Sequence, residues 1–410
     1  MLLPLFPRDF VSFAYYHLLR YGIAVATIEW SLDWWVQNGV IFMAQGTVEQ
    51  KTPKNRDNLS LVPVWLRRSR WRWLWWSLII ITLLAAIAGE LGWWDLTATT
   101  TDYSGAHFNQ GHNATWIEHT WVGDDHTPAD YAAFADHLRR EQITYVYAHV
   151  GPLDGDGTIP PDRYPFAAQF VHAMHQDDPD LRVLAWLGQI YQLGAPIGSA
   201  TIDLGSPETR AQMAHTAAIL TDLGFDGIHY DIEPVPDNDN HFLDLLDETR
   251  AAIGPHKVLS IATPNWIPIA RVVGVLHSVV DVDRGNDWWT TYYYLAVSSH
   301  VDQMVVMMYN TDMATAPLYE MIVEQETAHI LRAVERGSAS TQVILAIPTF
   351  QGNTRAFHSS AENMRTGLTG VTDGLNYSTF HSAFGGVAIY PDWLTTAADW
   401  STYDQMWLGK

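Results

Sequence analysis

Eight short runs of β-branched and aromatic residues recur between residues 113 and 400, and helical stretches separate most of them. Strands that alternate with helices in this way pair in parallel through right-handed crossovers. Eight such strands within about 290 residues predict an α/β fold of the closed (β/α)8 TIM-barrel type rather than an open doubly wound sheet. The predicted strands are Thr115–Trp121, Ile143–Val150, Arg182–Ile190, Gly227–Ile232, Lys257–Ala262, Gln303–Tyr309, Gln342–Ile347 and Gly386–Tyr390. The predicted helices are Pro128–Glu141, Tyr164–His175, Pro207–Leu223, His241–Ile253 and Leu318–Arg336.

Charge and cysteine content narrow the partners that this chain can have. The 410 residues carry a formal net charge of −22 and include no cysteine. Residues 1–100 hold nine basic and seven acidic residues, so the rest of the chain holds 14 basic and 38 acidic ones. A nucleic acid is not expected as a partner, because neutralising phosphates requires clustered Lys and Arg. Without cysteine, disulfides, thiolate nucleophiles and cysteine-ligated zinc are excluded, and we expect neither a metal nor a cofactor.

An uncharged apolar run extends over Trp73–Gly89, and Trp93 and Trp94 follow it closely. Residues 73–94 together have about the 20 residues that a helix needs to cross the hydrocarbon core, with tryptophans at both ends. Four arginines precede the run: Arg67, Arg68, Arg70 and Arg72. The positive-inside rule therefore predicts a single-pass anchor in the cell membrane, with the C-terminal part on the extracytoplasmic side. A buried core helix is the alternative.

The resulting domain organisation has four parts. Residues 1–72 form a cytoplasmic or interfacial region, residues 73–94 a transmembrane helix, residues 95–112 a linker rich in small polar residues, and residues 113–410 the barrel. The first region is apolar and aromatic with scattered charges. It fits an interfacial segment, a second weak span or a small helical unit equally well in pattern, and the cost of charge at mid-bilayer favours the interfacial interpretation.

The fourth predicted strand carries an unusual set of polar residues. His229, Asp231 and Glu233 share one face, since side chains alternate along a strand, and the apolar residues between them suit the helix layer. Such groups inside a barrel are costly unless they are paired or functional. The two acids lie about 6.6 Å apart along the strand, so one can raise the pKa of the other and keep a general acid protonated. An inert polar plug or a cation site is the alternative.

Two motifs carry a resemblance to a known family. The sequence from Asp226 to Glu233 (DGIHYDIE) resembles the DGxDxDxE signature of glycoside hydrolase family 18, the chitinases and related endo-β-N-acetylglucosaminidases. Met307-Met308-Tyr309-Asn310 is similar to the Met-x-Tyr-Asp/Asn motif of that family. The family fold is a (β/α)8 barrel with these motifs on strands four and six. The resemblance implies a retaining glycosidase that cleaves a β-linked N-acetylhexosamine glycan, with the substrate's own acetamido group as nucleophile.

The resemblance also implies roles for single residues. Glu233 corresponds to the acid that protonates the leaving glycosidic oxygen, and Asp231 to the group that orients the 2-acetamido group. Tyr309 corresponds to the donor to the acetamido carbonyl. Asp226 and Asn310 are expected among the residues that bind the sugar.

Several residues depart from the family pattern or extend it. His229 replaces the middle Asp of the signature, which changes the charge behind Asp231 and predicts an altered pH profile or substrate. The third strand reads Ala-Trp-Leu-Gly in place of Ser-x-Gly-Gly, and Tyr390 stands where the family usually has a sugar-stacking Trp. We expect His229 to bind substrate, together with four residues at or just beyond strand ends: Trp186, Asn265, Tyr390 and Trp393.

Three functional hypotheses follow. The first is a membrane-anchored glycosidase with a polysaccharide or oligosaccharide substrate. The second is a lectin-like barrel of the same descent, which binds glycan without cleaving it. The third keeps catalysis but uses a different sugar, with His229 contributing to the change. The presence of Glu233 together with Asp231 and Tyr309 favours an enzyme, because lectin-like relatives generally lose this acid.

Overall fold

The computed structural model describes residue 77 and residues 103–266, 288–337 and 340–410 of the chain. The chain divides into two units, Met1–Thr100 and Thr101–Lys410. The region predicted over residues 1–72 and the transmembrane helix predicted over residues 73–94 lie outside the described residues, apart from Ser77. Within the described ranges, no helix has the length and apolar character needed to cross a membrane.

Eight parallel strands close into a barrel, which confirms the predicted fold class. The order around the barrel follows the chain, except that a short parallel pair, β6 and β7, lies outside it. The barrel strands are β1 (Asn113–Ile117), β2 (Ile143–Pro152), β3 (Arg182–Ile190), β4 (Gly227–Glu233), β5 (Val258–Thr263), β8 (Gln303–Met307), β9 (Gln342–Pro348) and β10 (Phe384–Tyr390). The outer pair is β6 (Asn265–Trp266) and β7 (Trp288–Trp289).

Helices follow the strands, and several of them begin at well-defined side-chain caps. Thr127 caps the helix that starts at Pro128. Its hydroxyl accepts a hydrogen bond from the Asp130 N–H, and the Asp130 carboxylate accepts one from the Thr127 N–H. Proline stands at the first helical position there and again at Pro207, where its missing N–H costs nothing. The described helices are α1 (Gly105–Phe108), α2 (Thr120–Gly123), α3 (Pro128–Arg140), α4 (Ala167–Asp177), α5 (Pro207–Asp222), α6 (Asn240–Ile253), α7 (Thr291–Ser298), α8 (Ala316–Gly337), α9 (Met364–Tyr377) and α10 (Ala397–Tyr403).

Helix α9 was not among the predicted helices, because glycine is a poor helix former in water. Its glycines serve close packing against α8. A Cβ at Gly370 would lie 2.7 Å from Val323 Cβ, and one at Gly374 would lie 2.6 Å from Thr327 Cβ. Tertiary packing therefore overrides the local preference. The first strand is also shorter than predicted: it ends at Ile117, and helix α2 takes up the rest of the run.

The predicted linker over residues 95–112 is ordered against the barrel domain in its described part. Gly105 in α1 is buried, and a Cβ there would meet the ring of Trp407 at 2.8 Å. The backbone of Tyr103 exchanges two hydrogen bonds with the Asn376 side chain, at 3.2 and 2.9 Å. Residues 103–112 therefore pack as part of the barrel domain.

Buried side chains form two layers around the strands. On β4, Ile228, Tyr230 and Ile232 face outward into the layer shared with the helices, as the alternation along the strand predicts. The layer inside the barrel is mixed aromatic and aliphatic. Its buried members are Ala114, Trp116, Tyr147, Leu184, Trp186, Ala262, Val305, Met307, Tyr309, Ile344, Ala346, Phe357 and Ala388. Polar side chains on the inward face therefore need hydrogen-bond partners within this layer or at the open end of the barrel.

Candidate active site

Asp231 lies near the carboxyl end of β4, the end at which TIM-barrel sites form. The indole Nε1 of Trp186 on β3 donates a hydrogen bond to Asp231 Oδ2 at 3.0 Å. The other oxygen, Oδ1, is shielded from solvent and has no hydrogen-bond partner among the described residues. Burial raises the pKa of Asp231 to about 6, although the Trp186 hydrogen bond lowers it. This carboxylate is held on one side and has an unused acceptor on the other.

Glu233 ends β4, and its side chain is exposed. Its backbone carbonyl accepts a hydrogen bond from the Tyr191 N–H at 2.8 Å, which joins the end of β4 to the loop after β3. In the β3–β4 register Glu233 lies opposite Ile190 and Asp231 lies opposite Gly188. The two carboxylates thus share the inward face of one strand, two residues apart, and the outer one reaches solvent.

Tyr309 and Tyr390 form a stacked pair near these carboxylates. Their ring centroids are 5.2 Å apart with an interplanar angle of 13°. Burial raises the pKa of Tyr309 well above its usual value, and the charges of Tyr390, Asp231 and Glu233 raise it further. Burial and the same two carboxylates raise the pKa of Tyr390 to about 12. Both phenols are therefore neutral hydrogen-bond donors near neutral pH, within the electrostatic reach of Asp231 and Glu233.

Two asparagines and a tryptophan complete the set at this end of the barrel. Asn265 donates from Nδ2 to the Tyr309 carbonyl at 3.0 Å, while its buried Oδ1 has no partner in the described structure. Asn310 is exposed and has a left-handed backbone with φ of 59°. Trp393 is 39% exposed, and its ring centroid lies 6.4 Å from that of Tyr390. These residues surround the two tyrosines with unused polar groups and an open aromatic face.

A model of the family described as Glycosyl hydrolases family 18 matches residues 121–406. The chain belongs to this family. No curated protein matches the chain. Solved structures with a similar fold include the spore cortex-lytic enzyme SleL of Bacillus cereus, at 11% identity over 71% of this chain and 73% of that one, with a TM-score of 0.46. A family 18 chitinase from Cycas revoluta in complex with allosamidin is 13% identical over 72% of this chain and 99% of that one, with a TM-score of 0.48.

The structure separates Asp226, predicted among the sugar-binding residues, from the carboxyl end of β4. This residue precedes β4 at the amino end of the barrel, opposite the end that holds Glu233. Its Oδ2 accepts a hydrogen bond from the Val183 N–H at 2.8 Å and pairs with His175 Nε2 at 2.7 Å, while Arg182 lies 3.4 Å from Oδ1. Asp226 therefore joins β3, β4 and α4 at the end of the barrel opposite Glu233.

His229, predicted to bind substrate, is fully buried inside the barrel. Trp116 Nε1 donates to its Nε2 at 3.2 Å, and Nδ1 lies 2.8 Å from Ser260 Oγ. The ring also stacks on Tyr147 at 4.0 Å. Burial lowers the pKa of His229 to about 3, so the ring is neutral. The departure from the family signature thus replaces an acid by a neutral, satisfied ring.

The partners of His229 extend the interior network beyond the predicted residues. Ser260 Oγ donates to Gln303 Oε1 at 2.8 Å, and Tyr147 OH donates to the same oxygen at 2.6 Å. These residues lie at inward positions of β5, β8 and β2, so strand alternation was the one available signal. They hold His229 beneath the site.

Two neighbouring histidines, His119 and His149, approach Trp186 through the ring of His149. The His149 ring centroid is 4.4 Å from that of Trp186, and His119 Nδ1 lies 2.7 Å from the His149 backbone carbonyl. Burial lowers the pKa of His149 to about 4, with a smaller effect from His119. His149 is thus a neutral ring that packs against the tryptophan that holds Asp231. In the described part of the chain, no group of three or more acidic or histidine side chains could hold a metal ion.

Proposed function

We propose that the chain is a glycoside hydrolase that cleaves a β-linked glycan containing N-acetylhexosamine, with retention at the anomeric carbon and with the substrate's acetamido oxygen as nucleophile. The supporting observation is the carboxylate of Asp231, which is held by Trp186 on one oxygen and has its second, buried oxygen without a partner among the described residues. An unpartnered buried acceptor costs free energy unless a ligand supplies the donor. An acetamido N–H is such a donor.

In the first step, Glu233 acts as general acid. Its carboxyl proton passes to the leaving glycosidic oxygen as the bond from that oxygen to C1 breaks, and the acetamido carbonyl oxygen forms a bond to C1. In the second step, the Glu233 carboxylate removes a proton from water as the water oxygen bonds to C1 and the acetamido group is released. The exposed position of Glu233 at the end of β4 gives it access to both the leaving group and water.

Asp231 and Tyr309 act on the acetamido group. With Asp231 Oδ1 accepting from its N–H, the carboxylate both fixes the direction of the carbonyl oxygen and stabilises the positive charge that develops on the group. The neutral Tyr309 phenol is available to donate to the carbonyl oxygen. Tyr390 and Trp393 offer aromatic faces at the same end of the barrel, where sugar rings can stack.

The full-length protein is expected to cleave at least one member of a panel of N-acetylated oligosaccharides, and the first product observed by NMR is expected to be the β-anomer. Retention follows because C1 is displaced twice. An α-anomer as first product would contradict the substrate-assisted mechanism. Binding without cleavage of any member would instead support a lectin-like barrel. A second panel of non-acetylated oligosaccharides is tested beside it, and cleavage in that panel alone would support the different-sugar hypothesis.

We also propose that residues 73–94 anchor the protein in the cell membrane with the barrel on the extracytoplasmic side. The support is the sequence: a largely apolar run of about 20 residues with tryptophans at both ends, and with the flanking arginines on the N-terminal side. We expect the protein to stay with membranes after washing at alkaline pH, and externally added protease to digest the barrel in intact cells. Release by the wash, or protection of the barrel from protease, would contradict the anchor or its orientation respectively.

A further inference from the structure

The chain makes an uncommon turn immediately after Tyr309. Asn310 and Asp312 both have left-handed backbones, with φ of 59° and 64°. Asn and Asp tolerate this region better than other residues, but two such residues within three positions persist only where their surroundings hold them. The Asp312 N–H donates to the Ala356 carbonyl at 2.9 Å, which fixes the far end of the turn.

The near end of the turn is held by a buried carboxylate. Glu362, just before α9, is fully buried, and its Oε1 accepts a hydrogen bond from Thr311 Oγ1 at 3.1 Å. The backbone N–H groups of Asn310, Thr311 and His358 interact electrostatically with this carboxylate and lower its pKa. Oε2 is buried and has no hydrogen-bond partner among the described residues. The described side-chain hydrogen bond of this acid therefore comes from the turn that follows Tyr309.

We propose that Glu362 is a positioning residue of the candidate active site, which holds the Asn310–Asp312 turn in place when ionised and loosens it on taking up a proton. The neutral acid loses the negative charge that strengthens hydrogen bonds from the Thr311 hydroxyl and the N–H groups of the turn, and one of its oxygens becomes an O–H donor. Loosening the turn moves Asn310 directly and Tyr309 through the chain.

The surroundings of Glu362 place its titration near neutral pH. Burial raises the pKa of Glu362 to about 7, with the hydrogen bonds opposing the shift. The other titratable groups that interact with it from α8 are Glu326, whose pKa it raises, and Tyr319, whose buried phenol donates to the Met308 carbonyl at 2.6 Å. Because the pKa is raised, the charged form that holds the turn is populated above about pH 7 and is lost as the pH falls below it.

The test follows the backbone amides of the turn directly. In the full-length protein labelled with ¹⁵N-Asn and ¹⁵N-Thr, the Asn310 and Thr311 amide signals are expected to titrate with an apparent pKa near 7. Glu362→Gln should abolish this step, and Thr311→Val, which removes one donor, should move it to higher pH. Glu324→Gln is the matched control, because Glu324 is another buried acid of raised pKa, on α8, that lacks these contacts.

The NMR titration does not require glycosidase activity. Only the expected effect of Glu362 on catalysis rests on the proposed function. A titration step that persists in Glu362→Gln, or that is absent from the parent protein, would overturn the positioning role whether or not a sugar is cleaved. With an active substrate, we expect Glu362→Gln to raise KM about tenfold with a smaller change in kcat, and to remove an ionisation near pH 7 from the pH profile. A pH profile unchanged from that of the parent would also overturn it.

Discussion

The Glu233→Gln variant is expected to cleave its glycan about 10²–10⁴-fold more slowly than the parent, with little change in KM. The amide cannot give a proton to the leaving oxygen, yet it matches the carboxyl group in size. Glu233 is exposed at the end of β4, and substitutions at such positions change the free energy of unfolding by only about 0.5 kcal/mol. The loss of rate would therefore report chemistry rather than folding. Steady-state rates at saturating substrate, with thermal unfolding curves beside them, measure both.

Glu335→Gln provides the matched control for this substitution. Glu335 lies near the C-terminal end of α8, on the side of the barrel where β9 begins, and accepts a hydrogen bond from the Ser382 N–H at 3.2 Å. Its variant is expected to keep the parental rate. A Glu233→Gln protein that is as fast as the parent would place the general acid on another residue.

The barrel itself was predictable because its signal is repeated eight times. Each strand is a short apolar run, mostly between helices, and the predicted bounds of β3, Arg182–Ile190, match the structure to the residue. The inward face of β4 was equally predictable, since a strand with helices on one side has room for polar groups only on the other. The strands that carry the candidate site can therefore be predicted from the alternation of strands with helices and from the positions of polar residues along each strand.

Position along the strand was harder to predict than the face. Asp226 and Glu233 belong to one continuous motif, yet seven residues of extended chain separate them by about 23 Å, so they lie at opposite ends of the barrel. The sequence of the motif alone does not show this separation. The partners of His229 were hidden for a related reason: Trp116 is 113 positions away and becomes its neighbour only when the barrel closes.

Glu362 shows a third kind of limit. It stands in a polar stretch between β9 and α9, where sequence gives no reason to expect a fully buried acid. Its burial depends on the turn after Tyr309 supplying donors from a distant part of the chain. The role of such a residue is apparent only from its contacts in the folded chain, because neither its neighbours in sequence nor its residue type distinguishes it from a surface glutamate.

The neutral state of His229 changes what controls Asp231. Both ring nitrogens of His229 are engaged away from Asp231, by Trp116 and Ser260, and the ring carries no charge near neutral pH. The described hydrogen-bond donor to the Asp231 carboxylate is the Trp186 indole, and burial opposes ionisation. Ionisation of Asp231 thus depends on the balance between the Trp186 hydrogen bond, which favours the charged form, and burial, which disfavours it. A change at Trp186 should therefore shift the pKa of Asp231.

Asp231→Asn is accordingly expected to lower kcat/KM by about 10²–10³-fold, because it removes the negative charge that stabilises the developing positive charge on the acetamido group. In the parent, kcat/KM should fall as the pH drops below about 6, since Asp231 then takes up a proton and Oδ1 no longer serves as a charged acceptor. The limb near pH 6 should be absent from Asp231→Asn, while the ionisation near pH 7 expected from Glu362 should remain. Profiles of kcat/KM between pH 4 and 9, a range of roughly two units or more on each side of the Asp231 pKa, measure both effects.

Trp186→Phe is expected to change the pKa of Asp231 while the Asp231 side chain itself is kept. The phenyl ring can still pack on His149, but the indole N–H is lost, so the pKa of Asp231 rises and the acidic limb moves to higher pH. Trp393→Phe is the matched control: Trp393 contacts Tyr390 rather than Asp231, so its variant should keep the parental limb even if KM changes. A limb that stays in place in Trp186→Phe, or that survives in Asp231→Asn, belongs to another group, and Asp231 would then not be the residue whose ionisation catalysis requires.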